Sequence, residues 1–489
     1  MTKKTTSGRW TTLDRDLGRI SSVEYANQIV ARPMVGLGVA LAFMVVAGLG
    51  AALFLTGASS PYVVIAAAIV GAYMAINIGA NDVANNMGPA VGANALTMGG
   101  AIAIAAICES AGALLAGGDV VSTISKGIIN PESVAETRVF IWAMMAALIS
   151  SALWVNLATW IGAPVSTTHS VVGGVMGAGI ASAGFGAVNW PTMSAIAASW
   201  VISPLLGGLI AAAVLLFIKT YIIYQEDKIA AARRWVPVLV AVMATAFAAY
   251  LAMKGLKRIV KIDIGTALFI GVIVGVVTYA VTRPMIHRQS EGLENRNKSL
   301  KVLFSLPLVF SAALLSFAHG ANDVANAVGP LAAIVHATEV GGFEGKVAIP
   351  TWVMVIGAFG ISFGLVLFGP KLIRMVGSQI TKLNPMRAYC VALSAAITVI
   401  VASWLGLPVS STHIAVGAVF GVGFFREWYS ERRLRLNRPA NLVMASQERR
   451  RRKLVRRSHF LTIVAAWVIT VPAAALLSAI VFGILHTAF

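Results

Sequence analysis

Charge is what this 489-residue chain has least of: 12% of its residues are Asp, Glu, Lys or Arg, about half the share of a soluble domain. With 58% hydrophobic residues and a mean hydropathy of +0.82, that scarcity excludes a soluble globular protein. Cysteine is nearly absent. Cys108 and Cys390 both lie in apolar runs, so neither a disulfide framework nor a thiolate metal site is encoded. Segments of about ten residues with alternating polarity are missing, which excludes a membrane β-barrel. Residues 1–34 lack the short apolar stretch and small-residue cleavage site of a signal peptide, and are expected to form a cytoplasmic extension.

What the chain has is long apolar runs, and about 20 such residues cross a bilayer core. Candidate spans are 35–56, 62–78, 97–116, 138–161, 171–188, 192–218, 236–253, 264–282, 302–318, 348–369, 389–407, 414–425 and 460–486. Several are short or interrupted by Gly and Pro. The expectation is an all-α polytopic membrane protein of about 10 to 12 transmembrane helices, some broken or re-entrant at the midplane. The net charge of +19 is no nucleic-acid signal, because the basic residues sit between spans. The densest run, 426–457, holds twelve Arg/Lys against three Asp/Glu and reads as a cytoplasmic loop. The partners expected are the lipid bilayer, in a bacterial inner membrane, and no nucleic acid. A homodimer is compatible with the chain, though no residue specifies it.

Two phrases recur. Gly79-Ala80-Asn81-Asp82-Val83-Ala84-Asn85 returns as Gly320-Ala321-Asn322-Asp323-Val324-Ala325-Asn326. Each follows an apolar run and precedes Gly-Pro, at Gly88-Pro89 and Gly329-Pro330. Gly162-Ala163-Pro164-Val165-Ser166-Thr167-Thr168-His169 returns as Gly406-Leu407-Pro408-Val409-Ser410-Ser411-Thr412-His413. The spacing is nearly the same for both, so the chain reads as two homologous repeats, 61–218 and 302–487. A linker with two spans, 219–301, joins them. An extra span, 35–56, precedes the first repeat, and the basic loop 426–459 lies within the second.

Charge bias orients the repeats. The basic leader and the linker 283–301, with five Arg/Lys and two Asp/Glu, belong inside. The first motif helix then enters from outside and the second from the cytoplasm. The repeats are inverted, the topology that permits alternating access. One segment argues against this scheme: the link 254–263 carries Lys254, Lys257, Arg258 and Lys261, yet falls outside.

An Asp at membrane depth is costly unless it faces protein or water. The Gly, Asn and Gly-Pro of the first phrase are expected to interrupt the helix and free backbone groups beside the carboxylate. Asp82 and Asp323, with Asn85 and Asn326, make an oxygen shell suited to a hard cation, Na⁺ if the coupling ion is a metal, while Asn81 and Asn322 are expected among the phosphate-binding residues. In the second phrase, a helix start with clustered hydroxyls is an anion site. Ser166, Thr167, Thr168, Ser410, Ser411 and Thr412 can cradle a tetrahedral oxyanion without Lys or Arg. Ordinary N-capping explains one hydroxyl per phrase, not three. His169 and His413 read as packing residues. Glu109 lies mid-span, a functional candidate by default, and its counterpart is Ile361. His319 stands where the first repeat has Ile78.

The signs of these charges constrain mechanism. A carboxylate about 4 Å from an anion repels it by about 4 kcal/mol at an effective dielectric near 20. Asp82, Asp323 and an oxyanion can share a site only if cations join them or the carboxylates are protonated. That points to cation-coupled symport.

These phrases resemble the inorganic phosphate transporter (PiT) family over about residues 61–487, together with the segment around Glu109 and Lys126-Gly127-Ile128-Ile129. The resemblance implies symport of inorganic phosphate with Na⁺ or H⁺ through an inverted-repeat fold. It implies anion contacts at the Ser/Thr clusters, cation or coupling roles at the Asp positions, and a transport role for Glu109. No enzymatic activity is implied, and no cofactor beyond the co-transported ion. Two departures stand out. Ala392 occupies the place of a second glutamate found in some members, and the span 35–56 precedes the point where shorter members begin. Sulfate permeases resemble this family too, so a sulfate symporter is the rival within the class. A passive channel and a membrane phosphatase are rivals outside it. The phosphatase is disfavoured because the motif regions lack Lys/Arg clamps.

Overall fold

Fifteen α-helices hold most of the described residues of the computed structural model, and no strand is among them. Those residues are 34–54, 60–134, 136–161, 165–255, 262–341, 349–379, 384–436 and 457–488. Most of the polar leader 1–34 and much of the basic loop 426–459 lie outside them, as do Lys257, Arg258 and Lys261. In chain order the helices are α1 (Met34–Phe54), α2 (Pro61–Gly92), α3 (Met98–Ala116), α4 (Gly118–Ser122), α5 (Thr137–Ile161), α6 (Thr167–Ala183), α7 (Trp190–Ile218) and α8 (Lys228–Lys254). They continue as α9 (Ile264–Gln289), α10 (Asn297–Leu303), α11 (Ser305–Val340), α12 (Thr351–Gln379), α13 (Pro385–Trp404), α14 (Ser411–Leu436) and α15 (Arg457–Ala488). A π-helical turn, Thr123–Gly127, extends α4. Among the described residues, eleven helices are long and apolar enough to cross a membrane.

Polar residues mark where helices start. The side chains of Thr97, Asn189, Asp227, Asp263 and Asn384 accept backbone N–H groups in the first turns of α3, α7, α8, α9 and α13. The expected break at the Asn-Asp phrase does not occur. α2 and α11 run unbroken through both phrases, with Pro89 and Pro330 inside them. The glycines serve close packing instead: a Cβ on Gly79 would overlap the Ile361 carbonyl, and one on Gly320 the Glu109 carbonyl.

The chain does break at the second phrase. α5 and α6 form one hairpin. Ile129 and Val188, which flank it, form an antiparallel bridge that brings its outer ends together. α13 and α14 form the other. Its tip turns at Gly406, whose φ of +69° lies in the left-handed region that glycine enters freely. Residues 162–164 of the first tip lie outside the described residues.

Packing repeats as the sequence does. α2 lies along α12 and α3 along α11, while α6 lies along α15 and α7 along α14. Two apolar cores result. Val64–Ile78 of α2 supply one core and Val83–Ala90 the other; for α11 the order is reversed, Leu308–Ala318 joining the second core and Val324–Ala337 the first. The motif helices therefore cross the seam between the cores in opposite senses, and both Asn-Asp phrases sit on that seam.

Candidate functional site

The seam gathers almost every residue singled out in the sequence. Asp82, Asp323, Asn322, Asn326, Glu109 and all six hydroxyl residues are buried. Thr167 Oγ1 donates to Asp82 Oδ2 at 2.9 Å, and its counterpart Ser411 donates from Oγ to Asp323 Oδ2 at 3.2 Å. Thr412 Oγ1 also donates to Asp82, on Oδ1, at 3.1 Å. Asp82 thus receives one hydroxyl from each hairpin.

The asparagines divide the remaining work. Asn85 Nδ2 donates to Thr412 Oγ1 at 2.8 Å, and Asn326 Nδ2 to Thr168 Oγ1 at 3.2 Å, so each reaches the hairpin of the other repeat. Asn81 and Asn322 hold their own repeat's hairpin. Asn81 Nδ2 donates to Thr159 Oγ1 at 2.8 Å, and Asn322 Nδ2 to the matching Ser403 Oγ at 2.9 Å. Asn322 also bonds the Leu407 carbonyl and the Val409 amide. Ser166 and Ser410 cap α6 and α14, accepting the amides of His169 and His413. Pro408 lies ahead of α14, outside its first turn. The backbone groups expected from a broken helix arise differently: Pro89 and Pro330 carry no N–H, so the carbonyls of Asn85 and Asn326 lose their ladder donors.

The residue that sequence reasoning left out of the site is its centre. His319 is fully buried, with Nε2 3.0 Å from Asp323 Oδ2 and 3.7 Å from Asp82 Oδ2. Its Nδ1 lies 3.3 Å from Glu109 Oε1, to which Asn86 Nδ2 donates at 3.0 Å. Asp82, His319 and Asp323 each bring a ligand atom within 4.8 Å of the other two, so the shell that looked all-oxygen gains a nitrogen. The available signal was paired asymmetry. Asn86, Glu109 and His319 replace Ala327, Ile361 and Ile78 of the opposite repeat, and the three form one cluster. No Lys or Arg joins it among the described residues. Asp323 Oδ1, Asn326 Oδ1, Asn86 Oδ1 and Glu109 Oε2 are buried acceptors with no hydrogen-bond donor there.

Two discontinuous hairpins closing hydroxyl rows over buried carboxylates, inside a polytopic helical bundle, define a membrane transporter. The phrases, the fold and the comparisons then agree on the family. The sequence profile of the phosphate transporter family matches residues 78–478, and the chain belongs to that family. A protein of Helicobacter pylori strain J99, provisionally named a phosphate permease, is 46% identical, covering 96% of this chain and 98% of its own length. An Arabidopsis thaliana chloroplast protein named inorganic phosphate transporter 2-1 is 36% identical over 84% of this chain and 70% of its own. A solved structure, described as the sodium-dependent phosphate transporter, superposes with a TM-score of 0.79 at 35% identity, covering 87% of this chain and all of that one.

Proposed function

We propose that this chain imports inorganic phosphate by symport with a cation, by alternating access around the seam, in a bacterial inner membrane. The observation that carries the reading is Asp82 receiving Thr167 and Thr412 from opposite hairpins. Phosphate held by the Ser/Thr rows then lies beside Asp82 and Asp323. It is tolerated there only when positive charge accompanies it. Na⁺ is the favoured ion, because the solved relative is described as sodium-dependent. Its ligands would be Asp82 and Asp323, with Asn85, Asn326 and Glu109 in support. His319 favours a second reading, proton coupling, since an imidazolium supplies positive charge to the same carboxylates.

Phosphate is favoured over sulfate by chemistry. The donor-less acceptors Asp323 Oδ1 and Asn326 Oδ1 can accept a P–OH, a group sulfate lacks at neutral pH. In this reading 61–218 and 302–487 are inverted repeats with 219–301 between them. The opposite senses of α2 and α11 support the inversion. Asp119 pairs with Lys254, which removes part of the positive charge that argued against the topology.

Phosphate uptake into proteoliposomes, with Na⁺ and pH gradients imposed separately and excess sulfate as competitor, tests the whole. Accumulation driven by the Na⁺ gradient and resistant to sulfate is expected. Downhill flux alone would mean a channel, and competition by sulfate the rival oxyanion.

A further inference from the structure

The tip of the second hairpin is held by Asn322 from its own repeat and by Thr168, Thr123 and Trp200 from the other. Residues 405–409 leave the helical ladder, so their carbonyls need donors from elsewhere. Thr123 Oγ1 donates to the Gly406 carbonyl at 2.7 Å, from the π-helical turn. Trp200 Nε1, on α7, donates to the Pro408 carbonyl at 3.0 Å.

Trp200 also reaches the first hairpin. Its ring meets His169 edge-on with centroids 3.8 Å apart, and His169 in turn stacks on His413 at 4.4 Å. One side chain therefore touches the tip of one hairpin and the first helical turn of the other. The two stacked histidines each follow their hydroxyl row by one residue.

We propose that Trp200 is a positioning residue for the oxyanion site. It acts through Pro408 and His169 and sets the distance between the two hydroxyl rows. Pro408 lies two residues before the cap Ser410, and Ser411 and Thr412 follow it onto Asp323 and Asp82. A displaced tip carries both hydroxyls with it, and small displacements of positioned groups have large consequences. Indole suits the task, because it combines a flat apolar body with a single N–H donor and no acceptor. The sequence repeats the phrase: Trp200-Val201-Ile202-Ser203 returns as Trp467-Val468-Ile469-Thr470 on α15, the helix that packs along the first hairpin as α7 packs along the second.

This inference rests on the phosphate reading, and the test separates the two. Phosphate uptake is measured in proteoliposomes for the wild type, for Trp200→Phe, for Thr123→Val and for a variant carrying β-(3-benzothienyl)alanine at position 200. The last keeps the bicyclic shape and lacks the N–H. Absent uptake in the wild type would sink the phosphate reading. With the wild type active, the expected result is a rise of about 2- to 10-fold in phosphate half-saturation for each variant, at a maximal rate near that of the wild type. The thienyl variant keeps the test open if Trp200→Phe fails to insert. Unchanged half-saturation, or a fall in maximal rate alone, would overturn the assignment.

Discussion

The two half-sites share a plan and differ in charge. In each, a buried Asp takes a hydroxyl from a hairpin start, one Asn anchors its own hairpin, and another crosses to the opposite one. Around Asp323 the plan gains His319, linked to Glu109 and Asn86; around Asp82 the corresponding positions are Ile78, Ile361 and Ala327. Burial differs as well. Asn85 and Pro89 are half-buried, whereas Asn326 and Pro330 are fully buried. The shared plan fits the solute, which must be held from both sides. In the symport reading proposed above the unshared cluster suits coupling, because a charge held nearer one Asp than the other would give two access states different energies.

The comparison is broken most severely by removing its common part. Asp82→Asn or Asp323→Asn should lower cation-driven phosphate uptake about 100-fold or more while leaving membrane insertion intact. Near-normal uptake in both would refute the coupling role. The unshared cluster should respond differently. His319→Ile takes the imidazole from both Glu109 and Asp323 and should cost about 3–5 kcal/mol of stability, whereas Glu109→Ile leaves His319 its contact with Asp323 and should cost less. The double variant recreates the apolar pair of the other half and should recover the part of the His319→Ile loss that comes from Glu109, as read in thermal melts. A double variant less stable than either single one would show that the halves are not sterically equivalent.

Access offers a milder test. With Cys108 and Cys390 replaced by Ala, Val91→Cys should label with a thiol reagent in the substrate-free protein, and its counterpart Ala332→Cys should resist. Equal labelling would remove the asymmetry of burial. The smallest effects belong to the hydroxyls. Ser411→Ala should raise phosphate half-saturation by about 2- to 10-fold. Ser410→Ala should instead lower stability by about 1 kcal/mol, as loss of a cap does. Reversed effects would exchange the roles of the two serines.

The membrane fold and most of the site were legible in the sequence because both write themselves twice. A repeated Asn-Asp phrase and a repeated run of hydroxyls are local signals. Distances across the bundle are not local. Gly79 looked like a helix break because a glycine before Asn and Asp is ambiguous until the Ile361 carbonyl is seen against it. His319 and Glu109 were each visible as departures from the repeat, yet nothing along the chain says that α3 lies on α11. Trp200 was hidden for the same reason: its partner, the Pro408 carbonyl, is more than two hundred residues away.

The sharing of both cores between α2 and α11 has a consequence for biogenesis. When the ribosome has delivered only the first 220 residues, Asp82 and Glu109 have neither His319 beside them nor α11 and α12 around them. Each unpaired carboxylate costs about 2.5–3.5 kcal/mol at the centre of a bilayer. The early half must therefore wait in the insertion machinery, or sit shallow, until its complement arrives. Fragments 1–292 and 293–489 should accumulate in the membrane when made together, and each should be degraded when made alone.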